Sequence, residues 1–115
     1  MARPISSKAP ANPKVSAPLF AALGDETRLR LVLRLSNDGP MSITRLTAGS
    51  HVTRQAITKH LRVMGEAGLV RSTRRGRERL WRLDEQRLQN ARRYLDLISN
   101  QWDDALERLR DFVDG

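Results

Sequence analysis

Arg54, Gln55, Thr58 and Lys59 lie within one short stretch, and each offers hydrogen-bond donors on a side chain that can reach outward. Short donors of this kind can bond base edges, and cations can neutralise phosphates. The set fits reading of duplex DNA through its major groove. Donors of this kind work only from a rigid support, and the neighbouring residues predict one. Ile57, Leu61 and Met64 recur at i, i+4 and i+7, which gives a helix with an apolar stripe. Thr53 is suited to the N-cap and is expected to help hold DNA at the helix N-terminus, and Gly68 is suited to the C-cap before Leu69 and Val70 open a strand. An amphipathic helix with a merely solvated charged face would show the same pattern. The segment alone leaves both readings open.

The adjoining downstream segment favours DNA. Two β-prone runs flank Arg74-Arg75-Gly76-Arg77, which predicts a hairpin with glycine at its tip. Trp81 and Leu83 alternate with Leu80 and Arg82, so the return strand can bury one face. Charges on a hairpin can serve only to protect its edges. Arginine at three of the four tip positions exceeds that need and suits phosphate or minor-groove contact by Arg74, Arg75 and Arg77.

The distribution of charge agrees. The whole chain carries +8, and residues 51–82 alone carry nine Lys/Arg against Glu66 and Glu78. From Leu83 onward, eight acids oppose five bases. Positive charge is concentrated in the helix-and-hairpin unit, as a polyanion binder requires.

Other classes of function fit poorly. A chain of 115 residues has room for one domain with a modest core. No apolar run is long enough to span a membrane, and the N-terminus has no apolar leader, so a soluble cytoplasmic protein is expected. With no cysteine, disulfides and thiolate metal sites are excluded. His51 and His60 alone are a poor ligand pair, so no metal and no cofactor are expected. No phosphate loop, nucleophile elbow or activated nucleophile–base pair appears, so neither catalytic residues nor an enzyme are expected.

Residues 1–15, with Pro4, Pro10 and Pro13 among small and polar residues, predict a disordered tail, leaving 16–115 as one domain. Pro18 fits the first turn of a short helix through Leu23. Asp25 should cap a second helix with Leu29, Val32 and Leu33 as its buried stripe, ended by Asn37-Asp38-Gly39-Pro40. An extended Met41-Ser42, a third helix over Ile43–Ala48 and a turn at 49–52 lead into the helix of Arg54. The fold class is mostly α with a small β-hairpin, a winged helix-turn-helix.

A long terminal helix should come next. Asp84 is its expected N-cap, with Leu83 and Leu88 as a hydrophobic staple. Leu88, Ala91, Leu95, Ile98, Trp102, Ala105, Leu109 and Phe112 are spaced alternately by three and four, a seam of period 3.5. Such a helix is about 43 Å long through Phe112, more than one small core can cover. The seam therefore predicts a homodimer through the terminal helices, with Leu88, Leu95, Ile98, Trp102 and Leu109 joined by Leu19 and Phe20 of the first helix. The alternative is that the whole stripe packs within its own domain.

These residues together resemble the ArsR/SmtB family of small dimeric bacterial winged-helix repressors. The resemblance spans residues 18–113 and is carried by Leu23, Asp25 and Thr27-Arg28-Leu29, by residues 54–61, by Ala67-Gly68-Leu69-Val70, and by Gly76-Arg77 and Trp81-Arg82-Leu83. It departs at His51, where the family turn usually has glycine, and in lacking the family's metal-binding cysteines and terminal-helix histidines. It implies a repressor on a pseudo-palindromic double-stranded DNA operator, of a subgroup that does not sense metal. It also places His60 at the base of the reading helix, packing first and contacting phosphate second. A non-specific architectural DNA binder is the alternative. That class favours intercalating apolar wedges over the base-reading groups of Gln55, Thr58 and Lys59.

Overall fold

The computed structural model describes residues 12–114. Helix α1 (Pro13–Leu23) begins with Asn12 as N-cap, its side chain accepting from the Lys14 N–H, and a proline in the first turn. The last three residues of the expected tail, 13–15, are therefore helical. Pro18 consequently sits inside the helix instead of opening it. The rest of the tail lies outside the described residues.

Helix α2 (Glu26–Asp38) is capped by Asp25, whose carboxylate accepts from the Arg28 N–H at 3.1 Å, and ends at Gly39 with φ +79°. The expected stripe is corrected here. Leu31 and Leu35 are buried and Val32 half-buried, whereas Leu29 and Leu33 are 48% and 61% exposed. Leucine or valine occupies positions 29, 31, 32, 33 and 35, so hydrophobicity alone does not choose a face. The helix rotation is fixed by polar contacts. Arg28 Nε donates to the Ala22 carbonyl at 2.6 Å, and Arg34 donates to the carbonyls of Leu46 and Arg45 at 2.9 and 3.1 Å.

Helix α3 (Ile43–Ala48) is capped by Ser42, and helix α4 (Arg54–Glu66) by Thr53, whose hydroxyl accepts from the Ala56 N–H at 3.1 Å. Ile57, Leu61 and Met64 of α4 are fully buried, as their spacing requires. Gly68, at φ +81°, closes α4 with the Leu69 N–H on the Met64 carbonyl and its own N–H on that of Gly65, a Schellman end.

Strands β1 (Val70–Arg75) and β2 (Glu78–Leu83) form an antiparallel pair, with Val70 opposite Leu83 and Arg75 opposite Glu78. Gly76 supplies the positive φ, +65°, that a two-residue hairpin turn needs. Met41 extends the sheet by exchanging both backbone bonds with Trp81, which ties the start of α3 to the wing.

Helix α5 (Glu85–Asp114) runs for 30 residues, about 45 Å at 1.5 Å each. It accounts for the molecule's long axis of 66 Å against 38 and 24 Å. Asp84 anchors it, accepting from the N–H groups of Gln86 and Arg87 while also holding Arg71 at 2.6 Å. Only its first turns reach the core, through Ala91 and half-buried Leu88. Phe20 of α1 meets Tyr94 edge-on at 6.3 Å within the same chain. Leu19 is fully buried in its own core and offers no surface to a partner, which corrects its expected place in an interface. Leu88 also packs inward. Leu95, Ile98, Trp102, Leu109 and Phe112 stay exposed along the distal stripe.

Candidate nucleic-acid interface

The buried stripe of α4 determines which way its other side chains face. With Ile57, Leu61 and Met64 in the core, Arg54, Gln55 and Lys59 are exposed on the opposite surface. Thr58 is half-exposed, its hydroxyl donating to the Arg54 carbonyl at 2.9 Å. The oxygen lone pairs of Thr58 remain available to accept. Arg54 reaches across the turn, donating from Nη1 to the Thr44 hydroxyl at 3.0 Å. The guanidinium is thereby held between α3 and α4.

Across from it lies the wing. Arg77, Glu78 and Arg79 face Arg54, Thr44 and Arg45 over an open groove of about 520 Å³. Four arginines and one glutamate line this groove, so its field is strongly positive. The structure thus brings Arg54 and Arg77 together, and adds Arg45 and Arg79, which sequence reasoning missed. Arg79 carried a signal, since it pairs with Arg74 across the hairpin. Arg45 had none, because its approach to the wing depends on the Met41–Trp81 bridge.

Arg74 and Arg75 are exposed on successive positions of β1, so they leave opposite faces of the hairpin. Arg74 lies directly opposite Arg79, and Arg71 directly opposite Arg82. Like charges paired across a ladder destabilise it. Arg71 is relieved by Asp84 and Arg79 by the Ser72 hydroxyl at 2.8 Å. An external polyanion is the natural counter-charge for the tip.

His60 faces inward. Its Nδ1 lies 3.2 Å from Arg28 Nη1 and 4.0 Å from Asp25 Oδ2, in a half-buried cluster that fastens α4 to the α1–α2 junction. The Arg28 N–H bond holds the Asp25 carboxyl below its ordinary value of 3.8, with the nearby charge of Arg28 adding to it against some desolvation. His60 thus packs α4 against the α1–α2 junction and does not join its exposed face. His51 is exposed in the turn.

A helix-turn-helix with a basic outer helix and a basic wing defines a DNA-binding transcription regulator, not an enzyme. Residues 23–73 match the model of a helix-turn-helix domain family. The chain is 38% identical over 78 residues to the uncharacterized HTH-type transcriptional regulator YuzN of Bacillus subtilis, covering 63% of this chain and 85% of that protein. It is 34% identical over 96 residues to the HTH-type transcriptional regulator Rv2034 of Mycobacterium tuberculosis, covering 84% and 86%. The solved structure of an ArsR-like transcriptional regulator from Rhodococcus sp. RHA1 superposes with a TM-score of 0.75 at 35% identity, covering 86% of this chain and 92% of that one. The chain belongs to the ArsR/SmtB family of helix-turn-helix transcriptional regulators. No helix among the described residues is long and apolar enough to cross a membrane.

Proposed function

We propose that the protein is a homodimeric repressor that blocks transcription by occupying a pseudo-palindromic operator, and that metal does not control it. The observation that carries this reading is the uncovered distal stripe of α5. Trp102 is 64% exposed and Phe112 84%, in line with Leu95, Ile98 and Leu109. A contiguous apolar stripe of that length marks an interaction surface. A second α5 offers it a matching seam of period 3.5. Twofold pairing through this helix would set two copies of α4 about one DNA turn apart, which requires a twofold-related site.

Gln55, Lys59 and Arg54 are assigned to base edges, with Thr58 accepting beside them. The wing arginines are assigned to phosphates. Metal independence is supported by the lack of cysteine in the sequence, which removes the thiolate ligands that soft metals prefer. Replacing Leu95 and Ile98 with glutamate puts charges in the seam and should abolish both dimerisation and operator binding. Sedimentation velocity at micromolar concentration checks this. A folded monomer of the unmutated protein that still binds operator would overturn the proposal.

A further inference from the structure

Leu33, 61% exposed, lies outside the core. It forms one lip of a cleft of about 330 Å³ between α2 and the turn at residues 49–52. Leu31 and Leu46 give this cleft an apolar floor, and half-buried Val52 closes one end. Its rim carries Arg30, Arg34 and His51, and no acidic side chain lines it. Arg34 directs its guanidinium to main-chain carbonyls, so its charge is not neutralised there. Arg30 pairs with Glu26 at 2.6 Å, but both side chains are more than two-thirds exposed, and such a pair exchanges readily in water.

We propose that this cleft binds a small amphipathic carboxylate, with its apolar body on Leu31, Leu33 and Leu46 and its carboxylate between Arg30 and His51. The volume is at the small end of the range for ligand pockets, roughly 300–1,000 Å³, which suits a short chain or single ring. A phosphodiester would gain nothing from the leucine floor, and a neutral hydrocarbon nothing from the cationic rim. The turn that walls the cleft also sets the start of α4, and Arg34 braces α3 against α2. A ligand wedged there shifts the reading helix relative to the wing. This regulatory consequence rests on the DNA-binding reading; the site itself does not. Ligand and operator would then alter one another's affinity by the same factor.

The test is a titration of the isotope-labelled full chain with octanoate, without DNA, monitored by amide chemical shifts, with octanol in parallel. Saturable shifts confined to residues 27–34 and 46–52 are expected, with octanol weaker by roughly tenfold or more. Leu33→Gln and Arg30→Gln, both at exposed positions, should each weaken octanoate by a similar factor while the folded spectrum persists. Absence of saturable shifts into the millimolar range would overturn the proposal. So would shifts mapping to α5, equal binding of octanol, or the same shifts on raising protein concentration alone, which would give the cleft to a second copy. In a second arm, octanoate should change operator affinity for the unmutated chain, and Leu33→Gln should need roughly tenfold more octanoate for the same change. An unchanged affinity despite mapped binding would overturn the regulatory consequence. Failure to bind any operator would contradict the DNA-binding reading and leave the DNA-free titration intact.

Discussion

The guanidinium of Arg34 fills the space that a side chain at position 49 would need. A Cβ built on Gly49 lies 2.5 Å from Arg34 Nη1 and 2.7 Å from Cζ. The same guanidinium donates to the Leu46 and Arg45 carbonyls, which α3 leaves unsatisfied at its C-terminal end. Gly49→Ala should therefore displace the flexible end of Arg34 and cost about 1 kcal/mol or less, the scale of an ordinary hydrogen bond. Urea denaturation of Gly49→Ala, Arg34→Ala and the double variant checks the coupling. The double variant should be no less stable than Arg34→Ala, whereas additive losses would separate the two residues.

Asp84 joins the hairpin to the long helix. The hydrogen bond from Arg71 comes first in holding its carboxyl below the ordinary value of 3.8, with the N–H groups of Arg87 and Gln86 adding to it against desolvation. A carboxyl depressed in the folded state contributes stability above its unfolded value and loses it as pH falls through the folded one. Asp84→Ala should cost about 1–2 kcal/mol near neutral pH, from the lost cap. It should also flatten the fall in stability below the ordinary carboxylate range. Thermal melts across an acid series measure both effects, and an unchanged acid slope would show that Asp84 does not drive that loss.

Legibility in the sequence depended on how few solutions each segment allowed. The α4 stripe, its Thr53 cap and the Gly76 turn were readable because period and cap chemistry agreed. The α2 face was not, because apolar residues surround that helix and long-range bonds from Arg28 and Arg34 set its rotation. Asn12-Pro13 carried a helix-start signal that the proline-rich tail obscured. Leu19 and Leu95 look alike as apolar helical residues. The fold alone separates a core position from an exposed stripe. At the candidate site, Arg54 and Arg77 could be named, but the groove that adds Arg45 depends on the bridge between Met41 and Trp81, far apart in the chain.

Gln55→Ala and Lys59→Ala should relax preference at particular base pairs, each costing about 1–3 kcal/mol on operator and little on random duplex. Competition binding with single-position operator variants makes the distinction. Equal weakening on all sequences would reassign these side chains to phosphates.

Arg75→Ala and Arg77→Ala should weaken binding to every sequence, and each should reduce the logarithmic salt slope by about one per lost phosphate contact. Arg45→Ala should act in the same way if the groove between α3 and the wing tracks the DNA backbone. Titrations over a range of salt concentrations decide this, and an unchanged slope would remove the wing from the interface.

A footprint on the DNA upstream of the protein's own coding sequence, at near-physiological salt, separates a site-specific repressor from a general DNA binder. A homodimeric repressor should protect one discrete pseudo-palindrome whose half-sites are about one helical turn apart, roughly 10 base pairs. Uniform protection of every fragment, with affinity indifferent to sequence, would rule out the repressor and leave a non-specific DNA binder in its place.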